Sequence, residues 1–325
     1  MKNNDLRLAA LIRFATAITV LNIFGHFVLG FETSLAHACV ALLTAYTLEI
    51  TFETISARIQ HRKPGYAGGF QNWFYFLLPG HISAMAVSML MFTNQNLLPI
   101  VFATSLAVLS KVIFKVKIGG KVRHFLNPSN TGIAVSFILF PWVSTAPPYQ
   151  FTENVAGWWD WVLPVIFISA GSFLNLKFTR KGPLIAAWLC GFFAQAVLRS
   201  LLFGVSMAPA LLPMTGVAFL LYTFYMISDP STTPMKTKNQ IAFGLSVAAV
   251  YGVLMTMHIS FGLFFSLIIV CTTRGTYFGI MNMIEEFKSK QKAAVEFPVI
   301  PEPRVVPQMV YEKKPATLPA EVLQD

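Results

Sequence analysis

Long apolar stretches alternate with short polar ones along most of the chain, and within the apolar stretches there is no strict two-residue alternation. The apolar runs cover residues 9–29, 35–55, 73–93, 97–115, 129–144, 160–176, 183–203, 211–227, 239–257 and 259–273. A helix needs roughly 20 mostly apolar residues to cross a bilayer. The pattern therefore predicts an all-α, polytopic membrane protein of about ten transmembrane helices, some shortened by Pro or Gly. Past Glu285 the periodicity stops: Lys288-Ser289-Lys290-Gln291-Lys292 leads into Pro298, Pro301, Pro303, Pro307, Pro315 and Pro319. We expect a transmembrane domain over 1–285, in halves of about 1–157 and 158–285. A basic collar and a Pro-rich, mostly disordered tail should follow over 286–325.

Composition agrees with this class. Of 325 residues, 55% are hydrophobic and only 12% charged, with a mean hydropathy of +0.62, far above a soluble domain. The net charge of +10 raises nucleic acid as a partner, but its placement does not support one. With ten crossings and both termini cytoplasmic, all of the 24 Lys and Arg except Arg199 fall on one side, as the positive-inside rule requires. That pattern predicts a cytoplasmic (inner) membrane protein whose basic loops meet anionic lipid headgroups. It also favours keeping the first run as a crossing over removing it as a leader.

The polar residues inside this framework are few. Cys39, Cys190 and Cys271 have no paired spacing and are expected to pack as buried apolar groups. His26, His37 and His258 fall near one set of helix ends, without metal-ligand spacing. Glu49 and Glu53 share one helix face at i,i+4. A carboxylate at this depth either belongs to a proton or cation path or reaches for a basic side chain or headgroup. Pro79-Gly80, followed by His81, interrupts the third run, which reads either as a half-helix beside a site or as an ordinary kinked span. The loop 145–161 lacks Lys and Arg, and its Tyr149, Phe151, Trp158, Trp159 and Trp161 fit an aromatic belt.

Two polar stretches join apolar runs at candidate helix N-termini, Gly120–Gly132 and Ser228–Lys238. Asn127 precedes a proline and should be extended, with Ser129 or Asn130 free to cap the following helix. In the second stretch Asp229 or Ser231–Thr233 offers the cap and Lys236 and Lys238 the charge. A helix N-terminus with nearby cations suits an anion such as a phosphate, a flavin or an acidic protein. Capping and positive-inside anchoring account for the same residues.

Phe125-Leu126-Asn127-Pro128, Ser228-Asp229-Pro230 with Thr232-Thr233-Pro234, and the spacing of the apolar runs resemble the RnfD/NqrB family, membrane proteins of the Rnf and Nqr respiratory electron-transport complexes. His124 to Asn130, Phe140-Pro141-Trp142 and Ala146 to Asn154 are most similar to the UnbU-type branch of enediyne biosynthesis clusters. The resemblance spans about residues 5–285. It implies two five-helix inverted repeats, flavin-mediated electron transport coupled to ion movement, and partner proteins carrying other redox centres. The family attaches FMN to a Thr in a Gly-Ala-Thr type motif, and no Gly-Ala dipeptide occurs here. A flavin (FMN or riboflavin) is therefore expected only non-covalently, at Asn127, Ser129, Asn130, Asp229, Thr232, Thr233 and Lys236. Against this stands a cofactor-free transporter or channel on the same fold. A membrane scaffold that recruits enzymes through its tail is a third reading. No catalytic constellation of a hydrolase or transferase emerges.

Overall fold

A computed structural model describes residues 3–147, 150 and 154–295. Tyr149, Phe151 and the Pro-rich segment from residue 296 onward lie outside the described residues. Helix α1 (Asn3–Phe24) runs on into a wider π turn, Gly25–Leu29, and stops at Gly30, whose φ of 76° is left-handed. It is followed by α2 (Leu35–Ile59) and α3 (Phe70–Leu90). The two-residue strand β1 (Met91–Phe92) and α4 (Leu98–Ile113) come next.

A β-hairpin follows α4, formed by β2 (Lys115–Ile118) and β3 (Lys121–His124) in antiparallel register. The hairpin corrects the all-α expectation. Charged and apolar residues alternate from Lys115 to Arg123, around Gly119 and Gly120 at φ 57° and 80°. Two positive φ values in a two-residue loop match the twist of a hairpin, which is why glycine stands at both. After α5 (Pro128–Leu139) a second short pairing joins β1 to β4 (Ser144–Thr145).

Helix α6 (Trp159–Phe173) also ends in a π turn, Leu174–Thr179, and a left-handed residue, Arg180. Then come α7 (Gly182–Phe203), α8 (Met207–Leu211) with a 3-10 turn, and α9 (Val217–Leu221) with a π turn to Met226. Helices α10 (Thr237–Thr256) and α11 (Gly262–Val295) complete the described chain. The described residues up to Met281 form one compact unit, and residues 282–295 belong to a separate one.

Among the described residues, seven helices are long and apolar enough to cross a membrane. The pair Met207–Thr215 and Ala218–Met226, bent by 68°, makes an eighth if it is counted as one span. The expected ten are not all of that length. Helix α4 has 16 residues and α5 has 12, about 24 and 18 Å at ~1.5 Å per residue, short of a ~30 Å hydrocarbon core. Outward-facing side chains are apolar: Phe27, Leu43, Ile59, Leu98 and Leu201 are all well exposed. These are the surfaces of an integral membrane protein in contact with lipid. Trp158, Trp159 and Trp161 also face outward.

Of the two readings of Pro79-Gly80 the continuous span holds, and two further expectations change. Helix α3 continues through Pro79 without a break. Gly80 leaves room for a neighbour: a Cβ there would lie 3.0 Å from Glu49 Cγ. Helix α11 extends to Val295 instead of ending near residue 273, so the basic collar begins as helix. Cys271 is buried, but Cys39 and Cys190 are exposed, and all three are free.

The packing differs along the chain. In α2 to α5 the contacts are made by small residues: Ala41, Ala45, Ala84 and Ala103 are fully buried. A Cβ at Gly132 would run into the Ala103 carbonyl oxygen. Small residues let helix backbones approach closely where lipid provides no hydrophobic drive. In α7, α9 and α10 the core is aromatic, with Trp188, Phe192, Phe219, Tyr222 and Tyr251 in ring contact.

Candidate functional site

The structure brings the two polar stretches together. Asn127 stands in extended backbone just before Pro128, and its Oδ1 accepts from the Asn130 N–H at 3.0 Å, so it is Asn127 that caps α5. Its Nδ2 crosses to the other stretch, donating to the Met226 carbonyl at 3.2 Å and Asp229 Oδ2 at 3.4 Å. Ser129 Oγ donates to Asn127 Oδ1 at 3.0 Å, and Asn130 Nδ2 to the Phe264 carbonyl at 3.0 Å. Asp229 accepts from the Ser231 N–H and the Thr232 hydroxyl, while the Thr233 hydroxyl donates to the Asp229 carbonyl. Asp229 thus closes its own turn and does not cap α10. The residue at that N-terminus is Lys236, with no side-chain cap.

Six of the seven expected ligand-binding residues therefore meet, and Lys236 does not: it is exposed. Two other cations reach the cluster, and the first is Lys181, fully buried at the start of α7. Its Nζ donates to the Pro234 carbonyl at 2.7 Å and the Thr233 carbonyl at 3.4 Å. Burial pushes its ammonium down to about 8; the Asp229 charge opposes the fall and the Arg274 and Arg123 charges add to it. Arg274 on α11 donates to the Thr232 carbonyl at 2.7 Å. The sequence read Lys181 only as one of many positive-inside residues. Nothing in its neighbours signals that the turn at Arg180 folds it inward.

This cluster does not fit a flavin phosphate. The side-chain donors of Asn127, Ser129, Asn130, Thr232 and Thr233 are each directed at a protein acceptor. The Asp229 carboxylate lies among them, where it repels an anion. What the arrangement does is tie the start of α5 to the segment before α10, to α7 and to α11.

A second polar group lies within the apolar part of α1 to α4. Glu49 pairs with Lys111 of α4 at 2.7 Å, both side chains mostly shielded. Glu53 pairs with Arg62 and also accepts from the Gly65 N–H. One turn from Glu49, Tyr46 Oη meets His81 Nδ1 at 2.6 Å, and His81 Nε2 meets Thr19 Oγ1 at 2.6 Å. Sequence reasoning passed over Tyr46, Thr19 and Lys111. Tyr46, Glu49 and Glu53 do share an i, i+3, i+7 face, which was the available signal.

The remaining histidines are locally bonded or exposed. His37 is buried between Ser34 and Thr93, and His258 is exposed. Among the described residues no group of three or more His, Cys, Asp or Glu is placed to hold a metal ion. No protein-family model matches the chain, and no curated protein matches it.

Proposed function

We propose that this integral membrane protein is the ion-conducting membrane component of an electron-transport assembly resembling the Rnf and Nqr complexes, in the place that RnfD and NqrB hold there. The observation that carries this reading is the Glu49–Lys111 ion pair, held at 2.7 Å between two apolar helices. An ionisable pair shielded between apolar helices is costly to keep, and such residues mark ion pathways in membrane proteins. In this reading the protein sits in a bacterial inner membrane with both termini cytoplasmic. Its two halves are inverted five-helix repeats, with α4 and α5 as short members. The parallel endings of α1 and α6, each a π turn closed by a left-handed residue, support the repeat. Electron carriers belong to partner proteins, joined by a non-covalent FMN or riboflavin outside the Asn127–Asp229 cluster, in service of enediyne or related biosynthesis.

The test is ion flux into proteoliposomes containing the purified chain, together with its visible spectrum. Flux that Glu49→Gln abolishes, in a protein with flavin bands released by acid, supports the whole reading. Flux unaffected by Glu49→Gln overturns the ion path. A second reading, a cofactor-free transporter on the same fold, is favoured by the closed, carboxylate-bearing cluster. It predicts a colourless protein that moves a small solute without a redox partner.

A further inference from the structure

We infer that the conducted ion is a proton, and that His81 relays it through Tyr46 and Thr19 along a file from Glu49 to His26. This inference rests on the ion-path reading above and gives that path its ion and its residues.

The hydrogen bonds fix the resting direction of the relay. Thr19 Oγ1 lies 2.7 Å from the Ala15 carbonyl, which only accepts, so the Thr19 proton is committed there. The Thr19 oxygen must then accept from His81 Nε2–H, and Nδ1 in turn accepts from the Tyr46 hydroxyl. Both imidazole partners are hydroxyls, which accept as well as donate. His81 can therefore become an imidazolium with both ring N–H groups paired, because the Tyr46 oxygen then accepts from Nδ1–H and its hydroxyl proton turns away from the ring. An imidazole bonded to a backbone carbonyl lacks this freedom.

The file continues on both sides. Toward the Glu53 end, the Glu49 side chain lies against Gly80, the residue before His81, and one turn from Tyr46. Toward the other end, Thr19 and Asn22 share a face of α1, and His26 follows in the π turn. Asn22 is 3% exposed, and its Oδ1 has no protein partner. His26 Nδ1 must donate to the Asn22 carbonyl at 2.8 Å, which leaves its buried Nε2 as a second acceptor without a partner. Two buried acceptors of this kind suit a mobile donor such as water or hydronium. Glu49 to Tyr46 spans about 4.5 Å and Thr19 to His26 about 10 Å along the chain, so the file covers roughly 15 Å of a ~30 Å apolar layer. The titratable group bonded to His81 is Tyr46 of α2; Glu49 of α2 lies against Gly80, the residue before it, and carries Lys111 of α4 as its partner.

The step balances without a redox partner. Tyr46 Oη takes a proton from a hydronium on the Glu49 side, which leaves as water, while its own proton passes to Nδ1. Nε2 releases its proton to the Thr19 oxygen as the Thr19 proton swings from Ala15 toward Asn22 and His26. One proton enters and one leaves, which places the ring proton on Nδ1, so the reset needs the His81 ring to turn and exchange that proton as well as rotation of the two hydroxyls.

The test reconstitutes the full chain in vesicles of phosphatidylcholine and phosphatidylglycerol with an internal pH dye, driven by a valinomycin-set potassium potential. Proton uptake is expected to slow in D2O, and to fall at least about tenfold in both His81→Gln and Tyr46→Phe. Tyr46→Phe removes one oxygen and should retain the wild-type unfolding temperature, so a folding defect in His81→Gln does not decide the matter. Wild-type rates in Tyr46→Phe and in folded His81→Gln overturn the relay. If Glu49→Gln then still abolishes flux, the ion path stands without it. Sodium flux with no proton flux likewise overturns the inference but not the path. No flux of either ion overturns both.

Discussion

Asn127 offers a way to separate the two things its side chain does, because one substitution keeps the cap and the other does not. In Asn127→Asp the carboxylate still accepts from the Asn130 N–H, but a second negative charge arrives where Nδ2 stood 3.4 Å from Asp229 Oδ2. At an effective dielectric constant of ~20 the repulsion is about 5 kcal/mol. The pair relieves it by binding one proton, which for an ordinary carboxyl of pKa ~3.9 costs about 4 kcal/mol at pH 7 and about 1.5 kcal/mol at pH 5. The variant should therefore lose about 4 kcal/mol at pH 7 and recover most of the loss on acidification. Asn127→Ala instead loses the cap, about 1 kcal/mol, and leaves the Met226 carbonyl without its donor, about 1–3 kcal/mol more. That loss should not change between pH 5 and 7. The assay is thermal unfolding in detergent of the wild type and both variants at the two pH values. An Asn127→Asp protein as stable as the wild type at pH 7, or no more acid-rescued than Asn127→Ala, would refute the direct contact between the two stretches.

Two further outcomes follow from the packing. Because the Lys181 ammonium is held near 8 when folded, against ~10.4 in an unfolded chain, the native state binds fewer protons between those values. Stability should rise with pH across that window, by about 3 kcal/mol. The rise should be absent in Lys181→Met, so the difference in unfolding temperature between the two proteins, followed from pH 7.5 to 10, checks it. Gly132→Ala should destabilise by about 1–3 kcal/mol. The new methyl meets the Ala103 carbonyl oxygen, so Ala103→Gly should not restore stability, whereas a side-chain clash would be relieved.

The apolar runs and their spacing carry the membrane class, because burial of every backbone polar group within a helix is the only open option in lipid. The six residues Asn127, Ser129, Asn130, Asp229, Thr232 and Thr233 were readable as polar groups at helix starts. Their mutual satisfaction was not, because it depends on two segments a hundred residues apart meeting. The hairpin at Lys115–His124 was written in the alternation and in Gly119-Gly120, yet the preceding apolar run reads as helix up to its edge. Pro79-Gly80 shows the converse. The dipeptide signals a break, but a helix tolerates Pro when its neighbours cover the freed carbonyl, and Gly80 serves as space for Glu49.

What the sequence determined by itself is the class, the number and order of apolar runs, and the polar positions that an apolar solvent makes expensive. Those follow from local hydropathy and periodicity. Only the tertiary structure decided which polar groups find each other: Glu49 with Lys111, His81 with Tyr46 and Thr19, Lys181 with the carbonyls before α10. Partner choice is a matter of distance between segments remote in sequence. In a low-dielectric interior that distance decides whether a charge is a staple or a pathway.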